Sequence, residues 1–119
     1  MYQDYRNLIV WQKAMDLVQE VYGLVKLLPK EETYALSDQM RRAVVSIPSN
    51  IAEGNGRSSD REKRQFLCIA QGSKFELETQ LLICVRLHYI TEEQIKNLEN
   101  QLKEPLSKRS RLDLKELDE

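Results

Sequence analysis

Apolar residues in the first quarter of the chain recur at alternating steps of three and four, the spacing of one face of an α-helix. The pattern predicts a helix over residues 8–28 that Pro29 ends. Because the apolar residues form two adjacent rows, we expect this helix to contact neighbours on more than one side. One row holds Leu8, Trp11, Met15, Val18, Tyr22 and Val25, and the other holds Ala14, Leu17, Val21, Leu24 and Leu28.

The same spacing predicts a second helix that begins near Thr33 or Tyr34. Pro48 falls inside it and should kink it, since proline removes one backbone hydrogen bond. We expect the helix to end at Gly54-Asn55-Gly56, where glycine can take the left-handed cap conformation. Its apolar face is formed by Leu36, Met40, Ala43, Ile47 and Ile51.

Two further helices each begin with a predicted capping box, Ser59–Glu62 and Thr91–Gln94. Pro105 interrupts the fourth helix. The third helix carries the apolar row Phe66, Ala70, Ser73, Leu77, Gln80, Cys84 and Leu87, and the fourth carries Ile95, Leu98 and Leu102.

These elements predict an all-α protein, an antiparallel up-down four-helix bundle over residues 1–104 with its fourth helix shortened at Pro105. Short connections make successive helices antiparallel neighbours. Residues 105–119 form a charged C-terminal tail, for which a frayed end and a short extra helix both remain open.

Composition narrows the class of protein. The 119 residues carry a net charge of -1, which gives no global attraction to nucleic acid or membrane. The N-terminus is polar and no apolar run reaches the roughly 20 residues of a membrane span. Cys68 and Cys84 lie 16 positions apart on one predicted helix, about 24 Å at ~1.5 Å per residue. We therefore expect them to be reduced core residues of a cytoplasmic protein.

Catalytic chemistry is absent from the sequence pattern. His88 is the only histidine, and position 85 is Val85, so the Glu-x-x-His spacing of di-iron bundles is missing. There is no nucleophile motif and no phosphate-binding glycine loop. We expect no enzymatic activity, no cofactor, no metal site and no small-molecule substrate.

A polar stripe follows the second helix at steps of three and four, and two polar residues edge the third helix. One interpretation is a solvated face. The other is a hydrogen-bonded network at a helix–helix or subunit interface, where pairing of buried polar groups fixes the register. The residues are Gln39, Arg42, Ser46, Asn50 and Glu53 on the second helix, with Glu76 and Gln80 on the third.

Basic residues crowd the corner between the second and third helices. Such a run usually belongs to a solvated helix start, and one copy would bind phosphates weakly. Repetition of the cluster around an oligomer would strengthen binding through effective concentration. The candidate nucleic-acid-binding residues are Arg57, Arg61, Lys63 and Arg64, with Arg41 and Arg42 two or more turns away.

Three segments suggest a family: VWQKAMDLV (10–18), QMRRAVVSIPSNIAEGNGR (39–57) and FLCIAQGSKFELETQL (66–81). Over roughly residues 7–100 the chain resembles the proteins named after intervening sequences in 23S ribosomal RNA genes, and also the accessory proteins of diversity-generating retroelements. The family's fourth helix usually continues as a long amphipathic segment, whereas Pro105 cuts it here.

The resemblance implies a four-helix bundle that assembles into a ring-like homo-oligomer, a pentamer, without known catalysis. It also implies, through the retroelement members, a partner that is RNA, DNA or a nucleic-acid enzyme such as a reverse transcriptase. Two hypotheses follow: an oligomeric scaffold or adaptor, and a nucleic-acid-binding accessory protein that uses the basic cluster.

Overall fold

The computed structural model describes residues 4–104 and Leu106. This part of the chain is all-α, with four α-helices and no strand: α1 Ile9–Val25, α2 Leu36–Asn55, α3 Asp60–Arg86 and α4 Glu92–Leu102. Short 3-10 helices at Tyr5–Asn7 and Lys30–Glu32 precede α1 and α2. The fold class is therefore confirmed as all-α, while the prediction for the tail 105–119 lies outside the described residues except for Leu106, which is buried.

Helix α2 lies at the centre of the packing, because it contacts α1 along one side and α3 along another. Helix α3 has 27 residues and spans about 40 Å at ~1.5 Å per residue. The short helix α4 packs against α3 and α1. These neighbours are compatible with the predicted order of the bundle. The largest fully buried side chains are Met40, Ile47, Leu77, Leu81, Ile95, Val21, Val44 and Cys84.

Only one of the two predicted apolar rows of α1 is fully buried. Ala14, Leu17, Val21 and Leu24 lie in the core, and Leu28 joins them from the turn after the helix. The other row is largely half-buried, and its most open members, Met15 and Tyr22, are 43% and 41% exposed. The helix ends at Val25 rather than at residue 28.

Helix α2 ends at Asn55, within the predicted stop Gly54-Asn55-Gly56, but its start and the conformation of its cap differ from the sequence prediction. The helix begins at Leu36, not at Thr33 or Tyr34, because the 3-10 helix Lys30–Glu32 and a turn occupy the preceding residues. Pro48 is buried inside the helix, which continues past it. The predicted left-handed cap is wrong, since Gly56 has φ -83.

Gly54 is required for space rather than for backbone conformation. A Cβ atom at this position would lie 2.9 Å from the Cβ atom of Phe66 and 3.4 Å from the carbonyl oxygen of Lys63. Both neighbours belong to α3. The absence of a side chain at Gly54 therefore allows the last turn of α2 to approach α3 closely.

Ser59 and Thr91 cap α3 and α4 as predicted, but only the capping box at α4 is complete. The Ser59 hydroxyl accepts a hydrogen bond from the Glu62 N–H at 3.1 Å, but it donates to the Glu62 carboxylate, which does not return to the backbone of Ser59. At α4 the box is complete: Thr91 accepts from the Gln94 N–H at 3.2 Å, and the Gln94 side chain accepts from the Thr91 N–H at 2.7 Å.

The left-handed residue of the described chain follows α3 instead of α2. His88 has φ 62 and is the only non-glycine residue there with positive φ. Its N–H donates to the Val85 carbonyl at 3.0 Å, and the Tyr89 N–H donates to the Cys84 carbonyl at 3.0 Å. These two bonds form a Schellman motif, in which glycine usually occupies the position of His88.

Candidate interaction surfaces

The side of α3 that faces away from α2 carries an apolar stripe, which we call the α3 outer face. Phe75 is 60% exposed, Ile69 51% and Leu82 49%, although all are large apolar side chains. Gly72 leaves an opening in the stripe, because a Cβ atom there would meet nothing within 4 Å. The α3 outer face consists of Cys68, Ile69, Gly72, Phe75, Thr79, Leu82 and Ile83, with Leu87 at its end.

This stripe extends about 28 Å from Cys68 to Leu87 at ~1.5 Å per residue. No element of the described chain covers it. Contiguous exposed apolar surface on a folded chain is typical of an interaction site. Two predictions from the sequence are wrong here. Cys68 is exposed and is not a core residue. Leu87 is also exposed, although it was expected to belong to the buried row of α3.

A second, smaller apolar surface lies on α1, which we call the α1 flank. It consists of the half-buried Trp11 and Val18 and the exposed Met15 and Tyr22. Tyr5 packs edge-on against Trp11 with ring centroids 5.3 Å apart, so the 3-10 helix covers one end of the flank. The chain thus carries two unlike apolar surfaces on two different helices.

Part of the predicted polar stripe forms a hydrogen-bonded cluster around Ser46. The Asn50 side-chain amide donates to the Ser46 carbonyl at 2.7 Å and to its hydroxyl at 2.9 Å. The Ser73 hydroxyl on α3 donates to the Ser46 hydroxyl at 2.8 Å. The cluster therefore connects α2 to α3, and it includes Ser73, which the sequence assigned only to the apolar row.

Other members of the stripe are not brought into this cluster. Arg42 pairs with Asp38 at 3.1 Å, and Glu53 pairs with Arg57 at 3.4 Å, both within one helical turn. Gln39 and Glu76 are exposed. Gln80 is buried at 4% exposure, and its Oε1 atom has no partner among the described residues.

Some residues of the predicted basic cluster interact with other described residues, and others do not. Arg41 donates to the Thr33 carbonyl at 3.2 Å, and Arg57, besides its ion pair, lies over the Phe66 ring at 4.7 Å. Lys63 is partly buried. Arg61 and Arg64 are exposed, and no described residue pairs with either. Of the six candidates, these two are best placed to meet a phosphate.

Lys74 is a buried lysine that the sequence reading missed. It lies on α3, and its ammonium group donates to the backbone carbonyl of Glu104, just beyond α4. Burial lowers the pKa of Lys74. The Glu104 carboxylate also accepts from Lys13 of α1 at 2.6 Å. Glu104 thus joins three helices, and a cation at the end of α4 complements the helix dipole.

The two cysteines lie in different environments, since Cys68 is exposed and Cys84 is buried. Burial raises the pKa of the Cys84 thiol to about 11, and its sulfur lies 3.6 Å from the sulfur of Met40. The group is therefore a neutral thiol at pH 7. Across residues 4–104 and 106 no cluster of three His, Cys, Asp or Glu side chains could hold a metal ion. No helix in this part of the chain is long and apolar enough to cross a membrane.

A search of curated proteins finds no match. The family profile of the 23S rRNA-intervening sequence protein matches residues 6–109, which is most of the 119-residue chain and includes all four helices. The chain therefore belongs to the 23S rRNA-intervening sequence protein family.

Proposed function

We propose that this protein is a non-enzymatic, homo-oligomeric scaffold or adaptor of the cytoplasm. In this proposal the four helices form an antiparallel up-down bundle, and copies of the bundle close into a ring of five subunits. The observation that carries the proposal is the α3 outer face, an apolar stripe that the helices of the described residues leave exposed.

A second copy of the chain is the partner that best fits this surface. The chain carries both the α3 outer face and the α1 flank, and the contact of two unlike surfaces between copies is heterologous, which generates a ring where the rotation between copies closes and an open filament where it does not. Glu76 borders the α3 outer face, and Lys26, the C-cap residue of α1, follows Tyr22 by one turn, so the two surfaces offer one pair of opposite charges. Both of these charged residues are exposed.

Light scattering and native mass spectrometry of the full chain test the proposal. The expected result is a single homo-oligomer at micromolar concentration, with five subunits by native mass. Phe75→Glu combined with Leu82→Glu should give monomers, because two carboxylates would be desolvated in the contact. Tyr34→Glu is the matched control, since Tyr34 is 94% exposed and lies outside both surfaces.

A monomeric wild-type chain at micromolar concentration would refute the scaffold proposal. An unchanged mass for the Phe75→Glu/Leu82→Glu variant would remove the α3 outer face from the contact. A stable assembly with another subunit number would retain the scaffold and refute the pentamer.

The alternative function is a nucleic-acid-binding accessory protein whose partner is RNA, DNA or a nucleic-acid enzyme such as a reverse transcriptase. The specific observation in its favour is that Arg61 and Arg64 are exposed without a partner among the described residues. They lie three residues apart at the start of α3, so a ring would repeat the pair around its rim.

Binding to a heparin column and to a labelled RNA tests the alternative. Retention should fall as salt rises, because phosphate contacts release counterions. Arg61→Ala plus Arg64→Ala should abolish retention. The control is Arg42→Ala plus Arg57→Ala, which removes the same charge from arginines already paired with carboxylates. Retention of the Arg61→Ala plus Arg64→Ala variant equal to that of the parent would exclude this site.

A further inference from the structure

Helix α4 follows only the C-terminal half of α3. The Lys74 ammonium group donates to the carbonyl of Glu104, which lies two residues after Leu102, the last residue of α4. On the same side of α3, Leu67 and Lys63 precede Lys74 by seven and eleven residues, the spacing of one helix face. Helix α4 therefore ends before it reaches Leu67 and Lys63.

This uncovered part of α3 offers one apolar and two basic side chains. Leu67 is half-buried and packs against the core. Lys63 is half-buried and Arg64 is exposed, and neither forms an ion pair with a described residue. Arg64 lies about one helical turn from Leu67. We call Lys63, Arg64 and Leu67 the α3 basic end, and it fits a segment that carries acidic and apolar residues together.

The chain that follows α4 leads toward the α3 basic end. A short turn connects α3 to α4, and Lys74 contacts Glu104, so α4 runs back along α3 toward its start. Leu106 is helical and buried, which shows that the chain stays on the bundle beyond α4. Twelve residues of helix after Glu104 would span about 18 Å, and the eleven from Lys74 back to Lys63 span about 17 Å. A helical segment would thus bring Glu116 level with Lys63.

Residues 107–119 have the composition that this surface requires. The first five carry three bases and no acid, and the remaining eight carry four acids and one base. Leu114 and Leu117 follow Leu106 by eight and eleven residues, a spacing that would place all three on one side of a helix. A fully extended segment, at ~3.3 Å per residue, would instead bring the bases beside the α3 basic end, where like charges repel.

We propose that residues 112–119 bind, in helical form, to the α3 basic end of their own chain. Asp113 and Glu116 lie one turn apart and pair with its two cations, and Leu117 covers the half-buried leucine. The segment then occupies the cations that a phosphate would contact, so it competes with nucleic acid. This competition rests on the nucleic-acid-binding alternative, whereas the contact within the chain does not.

Zero-length carbodiimide cross-linking of the full chain, mapped by mass spectrometry, tests the contact. The reagent joins a carboxylate to a lysine amine with loss of water, so the expected product is an amide between Lys63 and Asp113 or Glu116. A mixture of unlabelled and isotope-labelled chains should give products of one label only. Lys96, which is exposed on α4, is the control amine and should not join the segment. The absence of the Lys63 product, or products of mixed label, would overturn the proposal.

Affinity for a labelled RNA tests the competition with two full-length variants of equal net charge. Neutralising the segment should raise the affinity at least about tenfold at low salt. The segment variant carries Asp113→Asn, Glu116→Gln, Asp118→Asn and Glu119→Gln. The control variant neutralises four exposed carboxylates elsewhere: Asp16→Asn, Glu31→Gln, Glu92→Gln and Glu93→Gln.

The outcomes separate the contact from the nucleic-acid function. Equal gains in the segment and control variants would overturn the competition, because net charge would then explain both. An affinity unchanged by the segment variant, in a protein that binds RNA, would overturn it as well. If parent and variants all fail to bind RNA while the Lys63 product forms, the nucleic-acid alternative is refuted and the contact within the chain is supported.

Discussion

The Ser73 hydroxyl on α3 donates a 2.8 Å hydrogen bond to the Ser46 hydroxyl on α2, and this bond joins the two helices with the most extensive contact in the fold. Asn50 donates to the same Ser46 hydroxyl at 2.9 Å. A slip of one helical turn, about 5.4 Å, would separate the two serines. The bond between the two serines therefore favours the observed register of α2 against α3 over registers that are shifted by one helical turn.

Removal of the two hydroxyls should have unequal effects on stability. Ser46→Ala leaves the buried Ser73 hydroxyl without its acceptor and should lower the free energy of unfolding by about 1–3 kcal/mol. Ser73→Ala leaves Ser46 bonded to Asn50 and should cost only about 1 kcal/mol. Urea unfolding measures both. A larger loss for Ser73→Ala than for Ser46→Ala would contradict this interpretation.

The control for these variants is Ser49→Ala. The Ser49 hydroxyl is exposed and donates to the Val45 carbonyl of its own helix at 2.8 Å, so it makes no contact between helices. Its removal should change the free energy of unfolding by less than about 0.5 kcal/mol.

His88→Gly should stabilise the protein, although it removes a side chain. His88 has φ 62, a conformation that costs residues with a Cβ roughly 1–2 kcal/mol and that glycine adopts freely. We expect the free energy of unfolding to rise by about 1 kcal/mol in urea titrations. His88→Ala, which keeps the Cβ atom, should leave it unchanged, and an equal gain in both variants would assign the effect to the imidazole instead.

Gly54→Ala should destabilise the protein by about 1–3 kcal/mol, the usual cost of forcing an extra methyl into a packed contact. The added Cβ atom would lie 2.9 Å from the Phe66 Cβ atom, so α2 and α3 must move apart. Gly23→Ala has open space and should instead gain about 0.5–1 kcal/mol from helix propensity. Thermal unfolding of the two variants measures the difference, and a gain for Gly54→Ala would show that the contact relaxes freely.

The glycines also show where sequence reasoning stops. The helices were predictable, because rows of apolar residues at steps of three and four specify them over long segments. The backbone conformations at the ends of the helices were not predictable in this way. Glycine after α2 suggested a left-handed cap, yet Gly54 is needed for the approach of Phe66, and the left-handed residue is His88. The roles of Gly54 and His88 depend on where one helix contacts another, and the spacing of apolar residues along a single helix does not specify that contact.

The same distinction holds for the candidate surfaces. Cys68, Gly72, Phe75, Thr79 and Leu82 recur at steps of four and three, so the α3 outer face could have been found as a second row on α3. The partners of Ser46 and Lys74 could not have been found in this way. The bonds from Ser73 to Ser46 and from Lys74 to the Glu104 carbonyl require the relative register of two helices.

Stability should fall with rising pH between 9 and 11 because of Cys84. Burial raises the pKa of this thiol from 9.0 to about 11, so above pH 9 the unfolded chain loses a proton that the folded chain retains. The stabilising contribution is complete below pH 9.0 and is lost as pH rises to about 11, with a slope of at most about 1.4 kcal/mol per pH unit.

The Cys84→Ala variant isolates this contribution. It should be less stable than the parent at pH 8 through lost packing, but its stability should fall less steeply above pH 9. Tyr89, whose pKa is raised by its hydrogen bond to Glu32, and Lys74, whose pKa is lowered by burial, are present in both proteins. Parallel curves of unfolding free energy against pH would show that the Cys84 thiol is not the group that titrates.

Gly72→Leu should weaken self-association without unfolding the subunit. Nothing lies within 4 Å of the position of a Cβ atom at Gly72, so the subunit alone tolerates the larger side chain and gains helix propensity. A closely packed contact on the α3 outer face would not tolerate it, and we expect the dissociation constant to rise at least about tenfold in analytical ultracentrifugation. Gly23→Leu makes the same change on α1, outside the α1 flank, and should leave the assembly intact. If both variants assemble as tightly as the parent while their helix content is unchanged, copies of the chain do not meet through Gly72.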